Sequence, residues 1–278
     1  MASINISIVT YKHSLEEIIS VVDCILKNRI NTIYIVDNSP TDDLRSISKY
    51  SPQLVYIFNN ANVGYGIAHN IAIRESLKDG VDYHVVINPD ISFNAGLLDD
   101  IAKVMNDNPC FGQLMPKVTY ANGELQYLCR LIPSPWDYVC KRYLPFNCAK
   151  KRADRFMLKF TRYDSIMNVP ILSGCFMFFR VSVLKEVGLF DERFFMYPED
   201  DDITRRIHEK YQTVYYPELN VFHGYEAAPY KSLRMHWVLI RNMIKYFNKW
   251  GWIWDQRRKE TNRKVLEELG YYSRTKHK

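Results

Sequence analysis

No run in the sequence reaches the about 20 apolar residues that a helix needs to span a bilayer. The opening residues, Met1-Ala2-Ser3-Ile4-Asn5-Ile6, lack the basic flank and long apolar core of a secretion signal. The six cysteines (Cys24, Cys110, Cys129, Cys140, Cys148, Cys175) form no Cys-x-x-Cys pair, and their spacing fits no zinc site. They read as buried free thiols of a reducing compartment, so a cytoplasmic protein is expected. Internal repeats, low-complexity segments and a phosphate-binding P-loop are all missing. No nucleic-acid-binding motif is present either, and nucleic acid is not an expected partner.

What is there is an ordinary globular composition. Of 278 residues, 47% are hydrophobic and 24% charged, enough for one large domain or two intimate halves. Aromatics reach 14%, with 20 tyrosines, which suits an aromatic core and also suits sugars or nucleobases held on ring faces. The formal charge of +6 is unevenly spread. From Lys231 onward only Asp255, Glu260, Glu267 and Glu268 oppose many basic residues, a balance that attracts diphosphates or an anionic membrane surface.

Apolar runs at 4–9, 32–36, 54–58 and 83–87 read as strands. Helical spacing fills the gaps, from Leu15 after a Ser14 cap and then around 42–49, 65–78 and 96–107. Strands alternating with helices predict a parallel α/β sheet, whose ligands sit at the carboxyl ends of the strands. Those ends carry Thr10-Tyr11, Asp37-Asn38, Asn59-Asn60 and Asn88-Pro89-Asp90. The alternation then weakens. A hairpin is expected over 118–128 around Asn122-Gly123. An irregular or helical insertion with a basic cluster (Lys141, Arg142, Lys150, Lys151, Arg152, Arg155) fills 130–168. Beyond it come an apolar strand over 171–179, a short helix closed by Gly188, a helix over about 199–210 and a strand at 213–216, followed by Val221-Phe222-His223-Gly224.

Glu199-Asp200-Asp201-Asp202 is the densest chemical signal. Four adjacent carboxylates repel one another, so a metal, a cationic group or an arginine is expected beside them. A solvated helix start with acids at the positive dipole end uses the same residues. One carboxylate buried against apolar surface becomes a candidate proton acceptor. Asn62-Val63-Gly64-Tyr65-Gly66-Ile67-Ala68-His69-Asn70 adds a glycine-spaced loop entering a helix. It follows the third strand and lacks a third glycine, unlike a dinucleotide fingerprint. It fits a tight turn, or a place where backbone N–H groups approach a phosphate or ribose.

Taken in order, several segments carry a resemblance. They are Val9-Thr10-Tyr11, Val36-Asp37-Asn38-Ser39, Asn62-x-Gly64-x-Gly66-x-x-x-Asn70, Asn88-Pro89-Asp90, Ser173-Gly174, Phe190-Asp191-Glu192-x-Phe194-Phe195 and Glu199-Asp200-x-Asp202. The chain resembles family 2 glycosyltransferases of the GT-A fold, in particular their rhamnosyltransferase-like branch, over about residues 4–225. The resemblance implies a Rossmann-like, mostly parallel central sheet flanked by helices. It also implies inverting transfer of a sugar from a nucleotide-sugar donor, aided by Mg²⁺ or Mn²⁺.

By this resemblance Thr10 and Tyr11 border the base and ribose, and Asp37 accepts from the pyrimidine N–H. Asn38, Asn62, Gly64, Gly66 and Asn70 shape the donor pocket. Asn88 and Asp90 form a departed DxD motif, with Asp90 and His223 as metal ligands. Asp200 is the expected base and Asp202 the runner-up. Glu199 and Asp202 orient the base, bind acceptor hydroxyls or meet Arg205 or Arg206. Ser173, Gly174 and Arg206 face the acceptor. Asp201 is expected to be the solvent-exposed acid, and Asp191 and Glu192 a turn that seats Phe194-Phe195.

The expected division is a nucleotide-sugar half over 1–115, an acceptor and catalytic half over 116–228, and a basic, aromatic-rich helical extension over 229–278. The acceptor is expected to be a glycan, free or carried on polyprenyl diphosphate, in surface polysaccharide synthesis. dTDP-rhamnose is the first expected donor, with UDP-hexose or UDP-galactofuranose as alternatives. Trp237, Leu239, Ile240, Met243, Ile244 and Phe247 predict an amphipathic helix, and Trp250-Gly251-Trp252-Ile253-Trp254 stand beside Arg257, Arg258 and Lys259. That surface either packs on the catalytic domain or contacts the cytoplasmic membrane face peripherally. Non-enzyme readings are a degenerate sugar-nucleotide-binding protein, against which stand the retained Asp90, Asp200 and His223, or a nucleic-acid-binding protein, against which stand the acidic strand ends. The oligomeric state is open.

Overall fold

Branched apolar residues build the centre of the sheet. β1 (Ile4–Thr10), β2 (Thr32–Asp37), β3 (Leu54–Phe58) and β4 (Tyr83–Ile87) pair in parallel in the order β3-β2-β1-β4. These come from a computed structural model that describes residues 2–137, 147–224 and 233–275. Register places Thr10 beside Asp37 and Asp37 beside Phe58, so the polar residues that end the strands form one rim. Helices α1 (Leu15–Leu26), α2 (Tyr65–Asp79) and α3 (Leu97–Asp107) cover the faces. α1 starts in a capping box, with the Glu17 N–H donating to Ser14 Oγ and the Ser14 N–H to Glu17 Oε2. The expected helix over 42–49 is a 3-10 turn, Arg45–Lys49, that buries Ile47.

A buried polar chain fixes α2 on the sheet. Ser7 Oγ meets His69 Nδ1 at 2.7 Å and His84 Nε2 at 2.8 Å, and His84 Nδ1 meets Ser76 Oγ at 2.7 Å. Burial lowers the pKa of His69 and takes His84 down to about 3, so both rings are neutral.

The other half of the sheet is mixed. β8 (Phe176–Arg180) lies antiparallel between β4 and β6 (Phe111–Thr119), and β9 (Gln212–His223) runs parallel to β6. The short β5 (Ile91–Ser92) and β7 (Met167–Asn168) add antiparallel to β9. β6 spans the expected division at residue 115, and one sheet serves both halves. β8 starts five residues later than expected; Ser173-Gly174 turn into the site instead. The expected 118–128 hairpin keeps its turn, with Gly123 N–H donating to Tyr120 O at 2.9 Å, but returns through a single bridge, Thr119 to Leu125.

The described residues of the basic insertion pack on the core. Leu131, Phe156, Leu158 and Tyr163 join the main core around a helix, Asn147–Phe156. Cys140, Lys141, Arg142, Pro145 and Lys231 lie outside the described residues.

The C-terminal helix, Leu233–Trp250, buries Met243, Tyr246 and Phe247 against Phe194 and exposes Trp237 and Ile244 on its other face. Beyond it, Asp255 caps the helix Gln256–Glu268 and accepts both of its oxygens' bonds from Arg205 Nη2, at 2.9 and 2.8 Å. Arg205 also lies 3.9 Å from the Trp250 ring centroid. Both charges of this pair are buried. Removing one strands the other, so Asp255→Ala is expected to cost about 3–5 kcal/mol. Urea unfolding measures this; a midpoint equal to wild type would contradict it.

Candidate active site

Three donors converge on the Asp37 carboxylate at the end of β2. Thr10 Oγ1 donates at 3.1 Å, the Tyr56 hydroxyl at 2.8 Å and the Ser39 N–H at 2.9 Å. Burial and the Asp37 charge push the Tyr56 phenol well above its ordinary range. Asp37 is fully buried, so it forms the floor of a groove of about 300 Å³ that Lys12, His13, Thr41 and Asp43 also line. The resemblance has Asp37 accept from the pyrimidine N–H; these three bonds hold its carboxylate in place at the floor of the groove. Tyr11 is exposed beside it. Asn38 is buried, donating to Gly64 O at 3.2 Å and accepting from Asn59 Nδ2 at 2.8 Å.

The glycine loop faces protein. Gly64 has φ +95°, and a Cβ there would sit 2.3 Å from Phe195 O. Its N–H donates to Asn62 Oδ1 at 3.1 Å, and the Tyr65 N–H donates to Phe195 O at 2.9 Å. A Cβ on Gly66 would come within 3.0 Å of Phe190 Cβ and 3.6 Å of Glu199 Cβ. Asn70, buried, clamps the Phe190 backbone, donating to its O at 2.9 Å and accepting from its N–H at 3.0 Å. The Tyr65 N–H and the Asn70 amide are spent on the 190–199 segment, and the Gly64 N–H on Asn62, rather than turned toward a phosphate. Asn62, Gly64, Gly66 and Asn70 therefore shape the site by seating that segment. Asp191 makes the turn expected of it, with Phe194 N–H donating to Asp191 O at 3.1 Å and Phe194 fully buried.

The acidic helix, Glu199–His208, begins after Tyr197, which has φ +61°. Successive side chains on a helix turn by about 100°, so four adjacent acids fan out to four environments. Asp200 points to the site. Its Oδ2 accepts from the Gly174 N–H at 3.0 Å and from Arg130 Nη2 at 3.2 Å, and its Oδ1 from the Asp201 N–H at 2.9 Å. Its side chain stays 20% exposed. Gly174 is needed there, because a Cβ would lie 3.3 Å from Asp200 Cβ. Ser173 is half-buried next to it, its Oγ accepting from the Cys175 N–H at 3.5 Å.

Three expectations are corrected. Asp201 is not the exposed acid; it is 1% exposed and paired with Arg130 at 2.7 Å. Asp202 is fully buried among Arg206 Nε at 2.9 Å, the Trp250 indole N–H at 2.8 Å and Lys249 Nζ at 2.6 Å, so it has no path to a substrate proton. Arg206 spends its guanidinium on Asp202 and on the carbonyls of Val187, Gly188 and Leu189, leaving nothing for an acceptor. Glu199 is buried with Oε2 lacking a hydrogen-bond partner. Burial first, then the neighbouring Asp200, raises its pKa to about 8.

Asp90 and His223 meet because β5 pairs with the end of β9, Ile91 opposite His223. His223 Nε2 lies 3.3 Å from Asp90 Oδ1. Gln126 donates to His223 O at 3.1 Å and so turns its Oε1 to His223 Nδ1 at 2.9 Å. By this pattern Nδ1 donates to Gln126, and Nε2 faces the Asp90 carboxylate. Two electron-rich groups so close fit a cation between them, and Gln126 supplies the outer hydrogen bond of a metal-binding imidazole. Among the described residues no group of three or more His, Cys, Asp or Glu converges, so Mg²⁺ or Mn²⁺ would take its other ligands from phosphate and water. Asn88 is half-buried, and its Oδ1 accepts from the Tyr65 hydroxyl at 3.1 Å. The same hydroxyl meets Gly174 O at 2.7 Å, linking the Asp90 turn to the Asp200 turn. Tyr65, Gln126 and Arg130 were not expected in the site; only Tyr65, between the two glycines, had a sequence signal.

The sequence profile of glycosyl transferase family 2 matches residues 6–188. An N-acetylglucosaminyl-diphospho-decaprenol L-rhamnosyltransferase of Mycobacterium tuberculosis is 29% identical over 209 residues, which cover 69% of this chain and 66% of that protein. Among solved structures, GalNAc-T7 with UDP, GalNAc and Mn²⁺ superposes with a TM-score of 0.64 at 13% identity, over 93% of this chain and 50% of that one. The mannosyltransferase PcManGT of Pyrobaculum calidifontis, in complex with GDP-Man and Mn²⁺, gives 0.55 at 18% identity, over 88% and 63%. At those identities the likeness is one of fold, the α/β GT-A arrangement with helices added at the C-terminal end.

Glu199 yields a pH test. Its carboxyl is raised in the fold from 4.5 to about 8. Folding therefore favours its protonated form, and the stability it contributes is complete below pH 4.5 and lost as pH rises toward about 8. Glu199→Gln cannot ionise. It is expected to melt above wild type at pH 8 and level with it at pH 4; parallel melting curves from pH 4 to 9 would refute the assignment.

Proposed function

The chain belongs to glycosyl transferase family 2, and we propose that it is an inverting, metal-assisted transferase that moves L-rhamnose from dTDP-rhamnose onto a glycan acceptor carried on a lipid diphosphate. The rhamnosyl group and the lipid-diphosphate acceptor follow the mycobacterial relative, of whose length the match spans 66%, and the dTDP carrier follows the family resemblance. The observation that carries the chemistry is the placing of Asp200 and the Asp90–His223 pair on either side of the Tyr65 hydroxyl.

In this reading Asp200 accepts the proton of the acceptor hydroxyl. The acceptor oxygen forms its bond to the anomeric carbon as the carbon–oxygen bond to the nucleoside diphosphate breaks, and the bonding electrons leave with the diphosphate. Attack from the opposite face inverts the anomeric centre. Bonds from Gly174, Arg130 and Asp201 hold the Asp200 carboxylate in one orientation. Asp90 and His223 would hold the Mg²⁺ or Mn²⁺, which when bound neutralises charge on the departing diphosphate. The groove over Asp37 takes the nucleoside. No helix among the described residues is long and apolar enough to cross a membrane. Contact with the membrane that carries the acceptor would be peripheral, through the exposed aromatic and basic C-terminal surface.

Asp200→Asn is expected to lower kcat by about 10²–10⁴-fold while leaving nucleotide binding near wild type. Retained turnover would remove Asp200 as the base. Calorimetry with dTDP, UDP, GDP and ADP, each with and without Mn²⁺, is expected to show metal-dependent binding of dTDP. His223→Ala and Asp90→Ala should weaken that binding, and unchanged metal dependence in both would move the metal elsewhere.

A further inference from the structure

A second concave site lies between the insertion and the C-terminal helices. Its volume is about 110 Å³, room for about four waters at ~30 Å³ each, which suits one anionic group. Arg152 and Arg155 reach it from one helix, and Arg258, Lys259 and Asn262 from another. Its one acid, Asp137, is already paired with Arg152 at 2.7 Å. Arg155 Nε is buried without a hydrogen-bond partner, a cost that a bound anion would relieve.

The same unit displays an apolar surface. Arg258 donates to the carbonyls of Gly251, Trp252 and Ile253 at 3.5, 3.4 and 3.3 Å, tying down the loop on which Trp252, Ile253 and Trp254 are exposed. Ile253 is 70% and Trp254 85% exposed, and Lys259 lies 5.4 Å from the Trp254 ring centroid. An anion cleft bordered by exposed indoles matches an amphiphile with a phosphate head and an apolar chain. The cleft is also close to the base. Leu131 and Ile132 line it, and they follow directly on Arg130, whose side chain reaches Asp200.

We propose that this cleft binds the diphosphate of an isoprenoid-borne acceptor, with the isoprenoid leaving over Trp252, Ile253 and Trp254. This rests on the transferase reading and adds the acceptor's position to it.

Farnesyl diphosphate is a soluble probe, and tryptophan fluorescence and calorimetry read its binding. Wild type is expected to bind it saturably and to bind farnesol at least tenfold more weakly. Arg155→Gln with Lys259→Gln should weaken farnesyl diphosphate at least tenfold, and Trp254→Ser several-fold, with dTDP–Mn²⁺ affinity within twofold of wild type in both. Unchanged farnesyl diphosphate affinity in the double variant overturns the proposal. So does loss of binding to phosphatidylglycerol vesicles alone, which would make the cleft a phospholipid headgroup site. Nucleotide binding without farnesyl diphosphate binding sinks this proposal and spares the transferase reading; absence of nucleotide binding in wild type sinks the latter.

Discussion

The site depends on a backbone contact. Phe195 carries its carbonyl against the α-carbon of Gly64, where any side chain would collide, and accepts there from the Tyr65 N–H. This contact joins the parallel half of the sheet, which ends in the nucleoside groove, to the segment that begins the acidic helix. Asn70 repeats the joint one helical turn on by clamping Phe190. Tyr65 then reaches across to Asn88 and Gly174. Close packing and the Tyr65 hydroxyl thus tie the Asp90 turn to the Asp200 turn, as the proposed reaction, in which two reactants must meet in line, requires.

Electrostatics decide what each acid can do. A helix cannot bring four consecutive carboxylates to one face, and here each is answered separately. Asp202 is neutralised from the C-terminal helix, Asp201 by Arg130, and Glu199 by staying protonated. Only Asp200 combines exposure with fixed hydrogen bonds. The run of acids that looks like one site is one functional group with three supports. Arg130 is shared between Asp200 and Asp201, so the insertion that supplies it belongs to the catalytic structure.

Much of this was legible in the residues. β1 to β4 and α1 to α3 follow from hydrophobic period alone, because each is regular and flanked by turn residues. β6 was not, since Gly112, Gln113 and Pro116 interrupt its apolar pattern. Gly112 is required there by Ile207 and Tyr211, either of which would lie 2.8 Å from a Cβ. Of β9 only 213–216 was legible, because its register with β6 jumps from Pro116–Tyr216 to Lys117–Asn220, a bulge with Pro217 inside it. Asp90, Asp200 and His223 carry motif signals. Arg130 and Gln126 carry none: they act across 70 and 97 residues of chain, and only the fold states such pairings. Asp202 was expected near the base and Arg206 at the acceptor, and what the fold spends them on was not readable from spacing.

That helix has a consequence for the order in which the protein is made. Trp250 lies 48 residues after Asp202, and Asp255 lies 50 after Arg205. As a ribosome extends the chain at about 5–20 residues per second, the sheet can assemble while the acidic helix still waits several seconds for its counter-charges. The catalytic segment is therefore completed last. A growing chain can pair β1 to β4 before Asp202 and Arg205 meet their partners, so the acidic helix settles only once the C-terminal helices are made.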